Sequence, residues 1–411
     1  MEISLNSIPQ TINGEVKLPA SKSISNRVLI LNALSDSDMP VENLSDCDDT
    51  NHMLEVLNSD DCHFNIGHAG TAMRFLTAFL SRIVGRWEIT GSERMQQRPV
   101  GVLVDALNRT LLHTLGAHIE YAGQNGYPPL RIYGSYLKGG AIEIPASVSS
   151  QYISAILMIA PYMADGLQLT LTGKIVSRTY IDMTIALQRE FGAEISVKGH
   201  CIHVKPGNYR PVHYRVESDW SGASYFYELL AMTESGQIIL PGLLPESLQG
   251  DSHQTEVWKQ LGVHTRFTSQ GVVIERKNSD PTGLKYDFTE MPDLVQSFAV
   301  ACCIRNIPFE FSGVETLRIK ETDRISALIT ELKKLGYILT TGDGSQLIWN
   351  GERRQAQTHP RIMTYNDHRM AMAFAPAALK HPGLTIVDQE VVSKSFPTYW
   401  EQLSALGLEF T

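Results

Sequence analysis

Cysteine is scarce in this sequence, and the little there is does not pair. Cys47, Cys62, Cys201, Cys302 and Cys303 are odd in number and show no CxxC spacing, which argues against a disulfide framework, a zinc finger or a dithiol redox motif. Long apolar runs are missing as well. No stretch of 18 apolar residues occurs, and the start, Met1-Glu2-Ile3-Ser4, has neither a basic nor an apolar leader, so a cytoplasmic protein with no membrane span is expected. The Gly-Lys-Ser/Thr ending of a Walker A loop, a GxGxxG run and an HExxH run are all absent, so ATP, a dinucleotide cofactor and a bound metal are disfavoured and no cofactor is expected. The formal charge of −9 leaves no bulk hold on nucleic acid or an anionic membrane. Any anionic ligand needs a local basic pocket.

What is present is ordinary globular composition at a length, 411 residues, that exceeds one growing core and suggests two domains. Two kinds of helix alternate along it. One kind is apolar on nearly every face and belongs inside: Ser23 to Leu34, Gly70 to Leu80, Ser150 to Ala160, Ser221 to Met232, Pro292 to Ile304 and His368 to Leu379. The other is amphipathic: Arg98 to Leu115, Tyr180 to Phe191, His253 to Leu261, Thr322 to Leu335, Pro397 to Leu406 and, more weakly, Asp49 to Leu57. All but the last of these run into a glycine (Gly116, Gly192, Gly262, Gly336, Gly407), where a left-handed C-terminal residue is wanted. Short strand-like runs such as Leu167 to Leu171 and Leu384 to Val387 lie between the helices. The reading is an internal repeat of six α/β units, three per domain, with helices inside and sheets around them.

Polar residues interrupt this pattern at the expected helix starts: Ser21-Lys22-Ser23 with Arg27, Gly67 to Thr71 with Arg74, Gln97-Arg98-Pro99, Ser149-Ser150-Gln151, Ser177-Arg178, Lys320 to Arg324, Asp367-His368-Arg369 and Ser393-Lys394-Ser395. A single Ser or Thr there is explained by capping alone. Recurrent Lys and Arg are not, because a cation at a helix N-terminus opposes the helix dipole. The same place suits an anion, which free N–H groups, capping hydroxyls and the cations would all attract. Asp293 and Glu321 are the obvious proton-transfer candidates in this basic set. Both also have the plain reading of first-turn acids. Asp219 reads as a cap or ligand contact and Asp323 as a residue that orients its loop.

With these residues assembled, the chain resembles the enolpyruvyl transferase family. The resemblance runs in order from Leu18 to Arg27 through Ala69 to Arg74, Arg98-Pro99, Ser149 to Gln151, Lys320 to Arg324 and Asn366 to Met372, ending at Ser393 to Pro397. It implies an α/β fold, a two-domain inside-out α/β barrel in which each domain holds three βαβαββ-type repeats with parallel buried helices. It also implies one discontinuous domain, residues 1–19 plus 217–411, carrying Asp293 and Glu321, and a second, residues 20–216, carrying most contacts to one substrate, with substrates in the interdomain cleft.

The activity implied is transfer of the carboxyvinyl group of phosphoenolpyruvate to the 5-hydroxyl of shikimate 3-phosphate, with no metal, by a monomer. By position, Lys22, Ser23, Arg27, Ser149, Ser150, Gln151, Ser177, Asp293 and Lys320 correspond to shikimate 3-phosphate contacts. Lys22, Gly70, Arg98, Gln151, Arg324, Arg369 and Lys394 correspond to phosphoenolpyruvate contacts, and Tyr180 packs against the shikimate ring. Glu321 is expected to protonate the enol carbon and Asp293 to accept the hydroxyl proton, with Lys22 able to share either task. Three residues depart from the family pattern: His68 for asparagine, Phe75 for proline and Thr316 for asparagine. The first two are expected to border the phosphoenolpyruvate pocket. The sister enzyme that uses UDP-N-acetylglucosamine carries Lys-Asn where this chain has Lys22-Ser23, and a ring-forming DNA clamp is disfavoured by the acidic charge.

Overall fold

The computed structural model describes residues 1–108, 115–147, 149–342 and 344–411. Two compact units emerge from it, one formed by Met1–Ser21 with Glu217–Thr411 and the other by Lys22–Val216.

All six apolar helices form, at Lys22–Leu34, Gly70–Arg82, Ser150–Ile159, Trp220–Met232, Val295–Ile304 and His368–Phe374. Every residue of Val295–Ile304 is buried, as its lack of a polar face requires. Three of the six have a tight 3-10 turn at one end. Pro292–Leu294 leads into Val295–Ile304, while Ala160–Tyr162 and Ala375–Leu379 follow their helices, each of these turns carrying proline in its first two positions. The amphipathic helices also form, within a few residues of the expected bounds, with one exception. The helix expected from Arg98 to Leu115 is seen as Gly101–Leu107; residues 109–114 lie outside the described residues, and Arg98 sits in a bend before the helix. The terminal glycines behave as the sequence suggests: Gly192 and Gly336 have φ of 95° and 91°, which a side chain would strain.

The sheets repeat one pattern of strand pairing. In Lys22–Val216, His63–Asn65 runs parallel to Gly85–Thr90, which pairs antiparallel with Leu130–Gly134, itself antiparallel to His118–Tyr121. Gly140–Pro145, Leu167–Thr172, Cys201–Val204 and Ile195–Lys198 repeat it. Leu167–Thr172 alternates buried leucines with exposed or half-exposed Gln and Thr, the period of a sheet with one face on a core. The Lys22–Leu34 helix has no such sheet among the described residues, only an isolated bridge between Glu42 and Arg215.

In the other unit the repeat recurs twice in full and once, among the described residues, with three strands. Arg361–Ile362, Leu384–Val387, Glu2–Ser7 and Glu409–Phe410 make one sheet, and Leu284–Asp287, Phe309–Ser312 and Gln346–Trp349 a second. In the third, Thr11–Glu15 runs parallel to Ser235–Pro241, followed by Gly271–Arg276 and Val263–Thr268. That parallel pair spans the whole intervening unit, so the first 21 residues are tied to the C-terminal half by strand pairing. The core of this unit is dense in aromatics, with Trp258 and Phe298 stacked at 3.9 Å.

Candidate active site

In the unit containing both termini, the starts of three helices meet around one guanidinium. Arg324 opens the Arg324–Lys334 helix and is 1% exposed. It donates from Nη1 to Asp293 Oδ1 at 2.9 Å, from Nη2 to Glu321 Oε2 at 2.9 Å, and from Nε to Asp367 Oδ2 at 2.7 Å. Asp293 also accepts from Arg369 Nη2 at 3.0 Å and lies 3.5 Å from Lys320 Nζ. Glu321 faces Lys394 Nζ at 3.3 Å. Four cations therefore share three carboxylates, an arrangement held in place by local capping. Asp367 caps the His368–Phe374 helix by accepting from Arg369 N, and Asp323 caps the Arg324 helix by accepting from Ser326 N.

Burial alone would raise the Asp293 carboxyl, but Arg369, Lys320 and Arg324 together hold it well below the usual carboxylate range. Burial would likewise weaken the Arg324 charge, yet Asp367, Glu321 and Asp293 push its pKa above the ordinary arginine value. Behind them Asp251 is fully buried and accepts from Ser221 Oγ; burial, then the neighbouring Asp293 charge, pushes it up to about 7. A basic pocket with a carboxylate that its cations hold ionised can bind an anion and orient a hydroxyl at once.

In Lys22–Val216 a second group forms. Lys22, the first residue of its helix, lies 3.9 Å from the buried Asp49. One turn on, Arg27 donates to Thr184 Oγ1, Ser154 Oγ and the carbonyls of Ser23 and Tyr180. Gln151 Nε2 donates to Thr71 Oγ1 at 3.1 Å, linking the starts of the Ser150 and Gly70 helices. An ideal Cβ on Gly70 would lie 2.5 Å from Arg98 Nη1, so the guanidinium occupies the space that a side chain would take. Ser149 caps its helix by accepting from Gln151 N, whereas Ser177 caps nothing through its side chain and holds a left-handed φ of 53°, a costly conformation that often marks a functional position. His68 Nδ1 lies 2.9 Å from Ser92 Oγ.

These geometries correct the sequence reading in places. Lys394 closes a 3-10 turn, Gln389–Lys394, rather than opening a helix; the Arg324 helix begins two residues later than expected, which leaves Lys320 and Glu321 further outside its first turn. The helix dipole therefore has little part in holding these three, and direct ion pairing has the larger one. Sequence reasoning gave no role to Asp367, Asp49, Thr184, Ser154 or Tyr225, whose hydroxyl lies 3.4 Å from Arg369 Nη1. Asp367 stood in the Asn366 to Met372 run and was within reach of that reading. The others carry no local signal.

The sequence model of the family described as EPSP synthase (3-phosphoshikimate 1-carboxyvinyltransferase) matches residues 7–59 and 55–403. The chain belongs to the EPSP synthase family. A protein of Bacteroides fragilis named 3-phosphoshikimate 1-carboxyvinyltransferase is 52% identical over 404 residues, 98% of this chain and 97% of that protein. One of the same name from Yersinia ruckeri is 36% identical over 427 residues, 97% of each. The fold is also that of a solved EPSP synthase from Acinetobacter baumannii, with a TM-score of 0.78 at 23% identity, covering 100% of this chain and 99% of that one. Among the described residues no helix is long and apolar enough to cross a membrane.

Proposed function

We propose that this member of the EPSP synthase family transfers the enolpyruvyl group of phosphoenolpyruvate to the 5-hydroxyl of shikimate 3-phosphate, releasing phosphate, as a cytoplasmic monomer. Full-length identity to proteins of that name supports it, and the observation that carries it is Asp293 ringed by Arg324, Arg369 and Lys320.

Both units serve one substrate pair in this reading. Lys22, Ser23, Arg27, Ser149, Ser150, Gln151, Ser177 and Lys320 hold shikimate 3-phosphate, with Asp293 on its ring hydroxyls. Lys22, Gly70, Arg98, Gln151, Arg324, Arg369 and Lys394 hold phosphoenolpyruvate. Before substrate binds, the acids keep the cations from repelling one another. A bound phosphate or carboxylate competes for Arg324, Arg369 and Lys320, and each cation drawn away leaves Asp293 more basic.

That change suits the chemistry. The 5-hydroxyl oxygen forms a bond to C2 of phosphoenolpyruvate as its proton passes to Asp293, while Glu321, protonated from solvent once the bound anion draws Arg324 and Lys394 away, delivers a proton to C3; the product is a tetrahedral phosphate-bearing intermediate. C3 then returns a proton to Glu321, the C2–O bond to phosphate breaks with its electron pair leaving on phosphate, which takes up the proton held by Asp293, and the double bond re-forms. Lys394, 3.3 Å from Glu321, and Lys22 stabilise the charge that develops. Mass spectrometry of the acceptor after incubation with both substrates tests the reading: enolpyruvylated shikimate 3-phosphate is expected, and its absence, or transfer to UDP-N-acetylglucosamine instead, would refute it.

A further inference from the structure

Among the described residues no carboxylate pairs with Arg27, a buried cation. It is 2% exposed, its hydrogen bonds go to two hydroxyls and two carbonyls, and burial pushes its guanidinium down to about 10, opposed only by the Tyr180 phenol. Neutral acceptors alone are poor compensation for a buried charge. Two aromatic rings supply the rest. The Phe75 ring centroid lies 5.2 Å from Arg27 Cζ and that of Tyr180 5.9 Å, both within the distance at which a ring's electron-rich face attracts a cation. Phe75 is 1% exposed, so no water screens its contact, whereas Tyr180 is only half-buried.

Phe75, the residue found in place of the family's proline, has its ring on Arg27, a residue assigned above to the shikimate 3-phosphate set. We propose that Phe75 is a positioning residue that steadies Arg27 and thereby sets the affinity for the phosphorylated acceptor, leaving phosphoenolpyruvate untouched; this rests on the function proposed above. A ring stabilises a cation without neutralising it. A carboxylate in the same place would hold Arg27 as firmly but cancel the charge the anion needs, and an aliphatic side chain would fill the space without attracting it.

Calorimetric titration with shikimate 3-phosphate, paired with steady-state kinetics, tests the assignment. Replacing Phe75 by pentafluorophenylalanine reverses the ring's electrostatics with little change of shape, so folding is not at issue; Phe75→Leu removes the ring, and Phe75→Tyr keeps it. The fluorinated and leucine proteins are expected to bind shikimate 3-phosphate about 2- to 30-fold more weakly, with KM for phosphoenolpyruvate and kcat at saturation unchanged, and the tyrosine protein to match the unmodified one. Undiminished binding in the fluorinated protein overturns the proposal, as does a KM for phosphoenolpyruvate that rises as much as the acceptor's. The unmodified protein is titrated first: failure to bind the acceptor at all would count against the functional reading itself, and the proposal would fall with it.

Discussion

Asp293 and Arg324, 31 residues apart in the chain, are joined at 2.9 Å through Oδ1 and Nη1, and the same carboxylate holds Arg369 through its other oxygen. One acid thus sets the spacing of two of the cations assigned to phosphoenolpyruvate.

Asp293→Asn keeps the shape and removes the charge. Arg324 retains Glu321 and Asp367, and Arg369 retains Tyr225, so the fold is expected to persist while kcat falls about 10²-fold or more. Circular dichroism and steady-state kinetics check both halves; a near-normal kcat would remove Asp293 from the proton transfers.

The legibility of this chain in its sequence was uneven for a physical reason. Burial all round a helix and a glycine after an amphipathic one are local signals, and the six inner helices follow from them. Which helix starts meet is a tertiary matter. Glu321 precedes Arg324 by three residues and their contact could be suspected; Asp367 is 43 residues away, and only the shared fold brings it in. Phe75 shows the same limit, since a helical position says which face is buried but not that Arg27 lies beneath it. The parallel pairing of Thr11–Glu15 with Ser235–Pro241 is longer-range still and leaves no trace in local pattern.

Glu321→Gln separates the two proton transfers. It keeps a hydrogen-bond acceptor for Arg324 but cannot deliver a proton to C3. Turnover is expected to drop about 10²-fold or more with substrate binding retained, and exchange of solvent deuterium into the C3 position of phosphoenolpyruvate is expected to be lost. Undiminished exchange would assign that step to another group.

Stability should depend on pH through Asp293 in one direction and Glu228 in the other. Because the folded Asp293 carboxyl sits below its unfolded value of about 3.9, its contribution is full above that value and is lost as pH falls through the lower folded one. Glu228 is fully buried in the Trp220–Met232 helix and burial pushes it well above its ordinary value. The folded state therefore binds that proton more tightly, and the benefit is lost as pH rises above the unfolded value of about 4.3. Urea unfolding should show Glu228→Gln more stable than the unmodified protein at pH 8, with the difference gone near pH 4. An advantage that is independent of pH would contradict this.

Gly70→Ala tests the placement of Arg98. The new methyl group would collide with the end of a flexible side chain, so Arg98 moves and the helix survives. Loss of one charge-assisted hydrogen bond to the anion, about 1.5–3 kcal/mol, corresponds to a rise in KM for phosphoenolpyruvate of roughly tenfold or more, with melting temperature little changed. An unaltered KM would show that Arg98 does not reach this substrate.

The central claim is tested most directly by phosphate release from the purified protein under three conditions: phosphoenolpyruvate alone, shikimate 3-phosphate alone, and both together. Sustained release only with both substrates, accompanied by one enolpyruvylated acceptor per phosphate, is the expected result. Release from phosphoenolpyruvate alone, or none with both present, would contradict the account.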